Sequence, residues 1–391
     1  MKNSPNRKLL IISPSDMRGG AEEYALKIAF AASTQGWEVH SAFPSTSKTL
    51  LLIEELTSRE IRYHRLQISD ANDTIKIKAI GHFLRFMKTL FLLIRLQPDS
   101  VLIVIPFPYR AFGSILACGT LNIRTCVCFQ LVPPSIITFG SLKLNLYTWA
   151  RNRNQQWIAV SKYVRDFLAK SFNISNREEV AIIYNGVVVS NENELIDTEE
   201  IRRNLRKELG LHLNTRILLT VGRLNPQKGH ELIIQAAKDI NQEFDDIVFV
   251  WLGEGEHRNY LECKIHEYSL TQKILLLGHR NDVTRFLLAA DIFVFPTYYE
   301  GLPFALAEAM ANNLPLIASN AGPNPELIDD RVHGLLFTTG DSDELCKAIK
   351  WALCNGDRMQ EMAINAQSRI RNFSAENMVH KTLLLLQRTT G

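Results

Sequence analysis

Residues Pro296–Glu326 read PTYYEGLPFALAEAMANNLPLIASNAGPNPE, with two glutamates, Glu300 and Glu308, eight positions apart. Gly301-Leu302-Pro303 lies between them. Pro303 suits the first position of a helix, where no N–H is needed. The following FALAEAMA combines strong helix formers with apolar spacing. Glu300 is therefore expected in the loop before a helix and Glu308 inside it, roughly 10–12 Å apart for a rise of about 1.5 Å per residue. The helix start between them offers backbone N–H groups and the positive end of the dipole, a place for an anion such as a diphosphate. Asp291–Phe295 before this stretch and Pro315–Ser319 within it are short apolar runs. Together they make one strand–helix–strand unit of a parallel sheet.

The same grammar extends around it. Arg216–Val221 (RILLTV) reads as a strand, followed by Gly222-Arg223-Leu-Asn-Pro-Gln-Lys228-Gly229 and a helix from about His230 to Ile240. Ile247–Leu252, Ile274–Leu277 and Gly334–Phe337 are further strands, and Asp341–Gln387 reads as two or three helices. Asp341-Ser342-Asp343 has the D-x-D spacing of some metal sites. It follows Gly340 and opens a helical pattern, so an acidic N-cap is expected instead.

The first half repeats this order. Lys8–Ser13 is a strand, PSDMRGGAEE a turn-rich loop, and Gly19-Gly20 opens a helix to about Gln35 before the strand Trp37–Phe43. There is no G-x-G-x-x-G, so the dinucleotide fingerprint is absent. Ile75–Leu96 is a long apolar helix threaded by Lys76, Lys78, Arg85, Lys88 and Arg95. It reads either as a crossover helix on the sheet or as a surface that docks on an anionic membrane. Val101–Ile105, Arg124–Phe129, Trp157–Val160 and Val180–Tyr184 are strands, and Ser161 is a good N-cap. Tyr184-Asn185-Gly186-Val187 is a turn, and the polar run Ser190–Glu200 marks the boundary between domains 1–188 and 189–373.

At 391 residues the chain has room for two or three domains. Its 46% hydrophobic and 22% charged content is ordinary for a soluble protein. Net charge is +3, but residues 1–185 hold 23 Lys/Arg against 13 Asp/Glu and residues 186–391 hold 21 against 28. The basic half predicts an anionic partner on that side. Aromatic and basic residues do not interleave as in nucleic-acid binders, so no nucleic acid is expected. The six cysteines form no C-x-x-C pair and join no histidine cluster, which argues against zinc and for a cytoplasmic protein. The LLIIS run near the N-terminus is too short for a signal-peptide core, and no apolar run reaches the length of a membrane span.

The string E-G-L-P-x-x-x-x-E-A-M-A, with G-R-x-x-x-x-K-G before it, resembles the retaining glycosyltransferases of the family-4 type. The resemblance implies a GT-B fold: two Rossmann-like, doubly wound α/β domains facing a cleft, with the last helix, about 374–391, packing back on the first domain. It implies that Arg223 and Lys228 clamp the donor's diphosphate, with Gly222 letting the backbone come close. Glu308 would bind the ribose and Glu300 the donor sugar, while backbone near Gly301, Leu302, Pro303 and Phe304 meets sugar and phosphate. Gly19 and Gly20 match the family's N-terminal loop beside donor phosphate and acceptor; a plain tight turn is the other reading. Where the family carries a histidine after a first-domain strand, this chain has Gln130, which cannot carry a proton. Gly322-Pro323-Asn324-Pro325-Glu326 has proline at the second position of a G-G-x-P-E pattern, which predicts an altered sugar pocket.

The resemblance implies no cofactor and no metal. The partners it implies are a nucleotide diphosphate sugar and a saccharide or lipid-linked acceptor, with peripheral contact at the inner membrane face as an extension. The reading set against an enzyme is a non-catalytic nucleotide-sugar-binding partner, motivated by Gln130.

Overall fold

The computed structural model describes residues 7–15, 18–67, 75–189 and 197–387. Contacts divide the chain into two compact units, Met1–Asn185 with Ala375–Gly391, and Gly186–Ser374. Most of the polar segment taken as the boundary, residues 190–196, lies outside the described residues.

The first unit holds a parallel sheet built from β1 (Lys8–Ile12), β2 (Glu38–Phe43), β3 (Arg62–Arg65), β4 (Ser100–Ile105), β5 (Thr125–Phe129), β6 (Gln155–Ala159) and β7 (Val180–Ile182), in the order β3-β2-β1-β4-β5-β6-β7. Every residue of β4 and β5 is buried, because helices cover both faces of such a sheet and each side chain meets a packed layer. The edge strand β3, RYHR, has no apolar alternation and escapes a sequence reading. Its place comes from backbone pairing with β2.

The helices of this unit are α1 (Gly20–Thr34), α2 (Leu50–Thr57), α3 (Ile75–Leu96), α4 (Phe112–Thr120), α5 (Ser141–Arg151) and α6 (Lys162–Ser171). Ser161 caps α6, its hydroxyl accepting from Val164 N at 3.1 Å. The inner side of α3 is fixed to α4 by the buried Thr89–Ser114 hydroxyl pair at 2.9 Å. Arg85 is also buried, whereas Ile80, Phe83, Leu84, Met87, Phe91 and Ile94 are 44–68% exposed. The side chains of Lys76 and Lys78 lie outside the described ones. Among the described residues no helix is long and apolar enough to cross a membrane.

The second unit repeats the plan with β8 (Arg216–Val221), β9 (Ile247–Leu252), β10 (Ile274–Leu276), β11 (Ile292–Phe295), β12 (Leu316–Ser319) and β13 (Leu335–Phe337), ordered β10-β9-β8-β11-β12-β13 and all parallel. Its helices are α7 (Thr198–Glu208), α8 (His230–Ile240), α9 (Arg258–Glu267), α10 (Val283–Ala289), α11 (Phe304–Ala311), α12 (Asn324–Leu327), α13 (Ser342–Cys354) and α14 (Gly356–Ile370). In this doubly wound order the chain reverses direction between β8 and β11, and the loops leaving those two strands frame the crevice where such sheets take ligands. Asp341 caps α13, its Oδ1 accepting from Asp343 N and Glu344 N at 3.0 and 2.9 Å.

The last helix, α15 (Ala375–Gln387), belongs to the first unit. Tyr24 and Thr382 share a buried hydrogen bond of 2.7 Å. The terminal carbonyls of α15, which lack helical partners, accept from side chains instead. Arg124 donates to Leu385 O at 2.9 and 2.7 Å, and Arg7 donates to Gln387 O at 3.2 Å.

Candidate functional site

The loop after β8 folds back as one 3-10 turn, Pro226–Lys228, and then passes through Gly229 at φ +67°. A Cβ there would sit 2.1 Å from Pro296 O, so only glycine permits both the left-handed backbone and the approach to the end of β11. Gln227 ties the two loops together. Its carbonyl accepts from Tyr298 N at 2.8 Å, and its amide donates to Tyr299 O at 2.8 Å. The stem of Lys228 then crosses Gly222, 3.3 Å from where a Cβ would lie.

This folding delivers Lys228 to Glu300. Nζ donates to Oε1 at 2.5 Å, with the two side chains 18% and 8% exposed, and the ammonium lies 5.2 Å from the Phe295 ring centroid. Buried Thr297 donates to the same oxygen at 2.9 Å. A cation and a hydroxyl together satisfy a carboxylate that would otherwise be costly to bury. Arg223 is half-buried in the same loop and makes no ion pair among the described residues.

Beyond Glu300, Gly301, Leu302 and Pro303 are buried. Pro303 was expected at the first helical position. It is instead the N-cap, with φ −75° and ψ 120°, and α11 starts at Phe304, because that extended ψ keeps the proline outside the helix. The α11 start has no side-chain cap and no acid in its first turn. No acid of the first turn opposes an anion at the dipole's positive end. Glu308 stands half-buried one turn further along α11.

His230, at the start of α8, carries no sequence signal that sets it apart. Its ring packs edge-on against Trp251 at 4.8 Å, and neither ring nitrogen has a partner among the described residues. Burial, with the Lys228 charge as a second cause, pushes the imidazole down to about 3. His230 is therefore neutral at ordinary pH and adds no second cation to the loop. Gln227 and Thr297 carry no sequence signal either. Both are common polar residues in a loop, and only the folded contacts single them out.

The remaining expected residues belong to the first unit. Gly19 is the extended N-cap of α1, its carbonyl accepting from Glu23 N at 3.0 Å, and Gly20 is the first helical residue; neighbouring Asp16 and Met17 lie outside the described residues. Gln130 directly follows β5, is 6% exposed, and has both ends of its amide engaged. Oε1 accepts from Asn185 Nδ2 at 3.1 Å, and Nε2 donates to Cys128 Sγ at 3.2 Å. Among the described residues no group of three His, Cys, Asp or Glu could hold a metal ion.

Two doubly wound units with parallel sheets, the second inserted before the chain returns to the first, have the two-domain plan of the GT-B class of protein. The family model described as Glycosyl transferases group 1 matches residues 201–369, and Glycosyltransferase Family 4 matches residues 18–191. The chain belongs to the family-4-type glycosyltransferases.

Among curated relatives, the UDP-Gal:alpha-D-GlcNAc-diphosphoundecaprenol alpha-1,3-galactosyltransferase of Escherichia coli is 36% identical over 174 residues, 44% of each chain. The chain thus spans about half the length of the curated relatives it matches. Two solved structures share the fold. A glycosyltransferase from Rickettsia africae ESF-5 has a TM-score of 0.81 at 18% identity, covering 99% of this chain and 100% of that one. Anabaena HepE in complex with UDP has a TM-score of 0.76 at 20% identity, covering 97% and 99%.

Proposed function

We propose that the protein transfers a sugar, with retention of anomeric configuration, from a nucleotide diphosphate sugar to a hydroxyl on a saccharide or lipid-linked acceptor. The observation that carries this reading is the Lys228–Glu300 pair at the crevice between the β8 and β11 loops. Lys228 has three N–H donors and spends one on Glu300, leaving others for a diphosphate oxygen. Arg223 and the start of α11 supply the rest of the positive field. Glu308 accepts from the ribose hydroxyls and Glu300 from the sugar.

In the reaction the bond between the anomeric carbon and the phosphate oxygen breaks, and its electron pair stays on the phosphate. Lys228 and Arg223 stabilise that developing charge. The acceptor hydroxyl attacks from the same face and gives its proton to the departing phosphate oxygen. No protein base is required, so Gln130 is compatible with turnover. The two cations serve in place of a divalent metal, and Asp341, the one D-x-D residue with a capping role, is already committed to α13.

The E. coli relative is named for a diphosphoundecaprenol-linked acceptor, which supports an acceptor of that lipid-linked class here. The exposed apolar stripe of α3, with exposed Lys88 and Arg95 on the same helix, supports peripheral contact with an anionic membrane from the cytoplasmic side.

The test is a thermal-shift panel of UDP, GDP, ADP, CMP and dTDP, with and without EDTA, on wild type and Glu308→Gln. One diphosphate should stabilise the wild type, by about 2.7 kcal/mol at a hundred times its Kd. EDTA should not change the shift, and Glu308→Gln should lose it. No shift from any of the five removes the donor-site reading. Binding with neither transfer nor donor hydrolysis points to a non-catalytic partner.

A further inference from the structure

Both hydrogen bonds to Glu300 arrive on one oxygen. Lys228 Nζ and Thr297 Oγ1 donate to Oε1 at 2.5 and 2.9 Å, and Oε2 receives none among the described residues. A carboxylate held in this way presents a single, fixed oxygen.

The hydroxyl of Thr297 is fully buried and has two other acceptors in range, Gln227 O at 3.1 Å and Tyr299 O at 3.4 Å. The proton goes to the charged oxygen, the strongest acceptor of the three. Thr297 is held in turn from behind. Buried Ser319, at the end of β12, donates to Thr297 O at 2.6 Å. Buried Asn324, in the Gly-Pro-Asn-Pro-Glu segment, donates to Ser319 O at 3.0 Å. Contacts therefore run continuously from Lys228 through Glu300, Thr297 and Ser319 to the segment where proline replaces a glycine of the family pattern. Every member from Glu300 onward is 6% exposed or less. A buried chain of polar groups holds its geometry because each unmade bond is costly.

We propose that Thr297 is a positioning residue that, with Lys228, pins Oε1 of Glu300 so that Oε2 alone faces the donor sugar, and that Ser319 and Asn324 set its place from the 322–326 segment. This rests on the reading of Glu300 as the sugar-binding glutamate. The pinned geometry makes Glu300 a selector. One fixed acceptor oxygen demands a hydroxyl donor at one position of the sugar, and a donor lacking that hydroxyl leaves the oxygen desolvated and unpaired. Without Thr297 the carboxylate can turn about its terminal torsion and share its oxygens between Lys228 and the sugar.

The experiment compares the affinity of the nucleoside diphosphate that stabilises the wild type with that of its hexose conjugates. It uses wild type, Glu300→Gln, Thr297→Val and Thr297→Ser, with donor KM and kcat measured alongside. Thr297→Val keeps the shape and removes the hydroxyl. It should leave nucleoside diphosphate affinity within about twofold and lose about tenfold of the extra affinity and discrimination that the hexose brings. Thr297→Ser should restore both, and the loss should appear in KM more than in kcat.

If Glu300→Gln keeps the hexose-dependent gain, the reading of Glu300 falls and the proposal with it. If Glu300→Gln loses the gain and Thr297→Val keeps it, the positioning role alone falls. Equal weakening of diphosphate and conjugate in Thr297→Val, or no rescue by serine, means that Thr297 only builds the loop, which overturns the proposal.

Discussion

Lys228 and Glu300 are 72 positions apart, and the half-buried Lys228 helps make the burial of Glu300 tolerable. Lys228→Ala removes the cation facing the leaving group and strands a carboxylate that is 6% exposed. Transfer should fall by at least about 10²-fold, and stability by about 1–3 kcal/mol. The double variant Lys228→Met, Glu300→Gln should regain most of the melting temperature without regaining turnover, separating the two roles. Near wild-type turnover in Lys228→Ala would remove Lys228 from the clamp.

His230 makes a different demand. Its folded pKa of about 3 lies below the usual 6.5, so the unfolded chain binds the proton more readily. Its contribution is fully present above pH 6.5 and is lost as pH falls through that window toward 3. The slope reaches up to about 1.4 kcal/mol per pH unit. Phenylalanine fills the same space against Trp251 and does not titrate. Stability measured between pH 4 and 6 should therefore fall less steeply in His230→Phe than in wild type. Parallel slopes would mean that the imidazole is not held neutral.

Among elements, α3 takes the crossover reading of the two that its sequence leaves open. The Thr89–Ser114 pair and buried Arg85 fix it to the unit as a crossover helix, while the opposite stripe stays exposed. Arg85 therefore cannot serve a membrane, and the exposed charges in the described part are Lys88 and Arg95. Replacing Phe83, Met87 and Phe91 with glutamine should reduce partitioning onto anionic vesicles by at least about 10²-fold, since each of the three buried apolar groups contributes about 1 kcal/mol or more. Unchanged partitioning by a folded variant would leave only the crossover role.

The elements legible in the sequence are those with a strong local signal. The apolar runs of β8 and β9 and the helix formers of α8 and α11 announce themselves. Polar β3 does not, because its reason for being a strand lies in β2. The site divides the same way. The charged residues Arg223, Lys228, Glu300 and Glu308 stand out through the resemblance of their motifs to the family's, whereas Thr297, Gln227 and His230 become visible only once β8 and β11 lie side by side. The sequence could not show that Gln130 spends both ends of its amide on Asn185 and Cys128.

At the scale of the molecule, the chain leaves its first unit at Asn185, builds the whole of the second, and returns with α15. The return is specific. Tyr24, 0% exposed, has Thr382 as its hydroxyl partner, and Arg7 and Arg124 hold the last carbonyls of the helix. Met378, Leu383 and Leu386 are each 2% exposed, so α15 is part of the first unit's core despite its place at the end of the sequence. Removing residues 375–391 should strip that face and leave the Tyr24 hydroxyl without Thr382, at a cost of several kcal/mol, about 1.5–3 for each large apolar side chain. The second unit, Gly186–Ser374, keeps its own sheet and every residue proposed to clamp the donor's diphosphate. Calorimetry of the truncated chain should show the first unit's transition lowered or absent. The diphosphate that stabilises the full chain should still raise the remaining transition. An unchanged profile would mean that α15 adds nothing to the first unit's stability. Loss of diphosphate binding together with the first transition would mean that the donor site depends on the first unit and is not contained in the second.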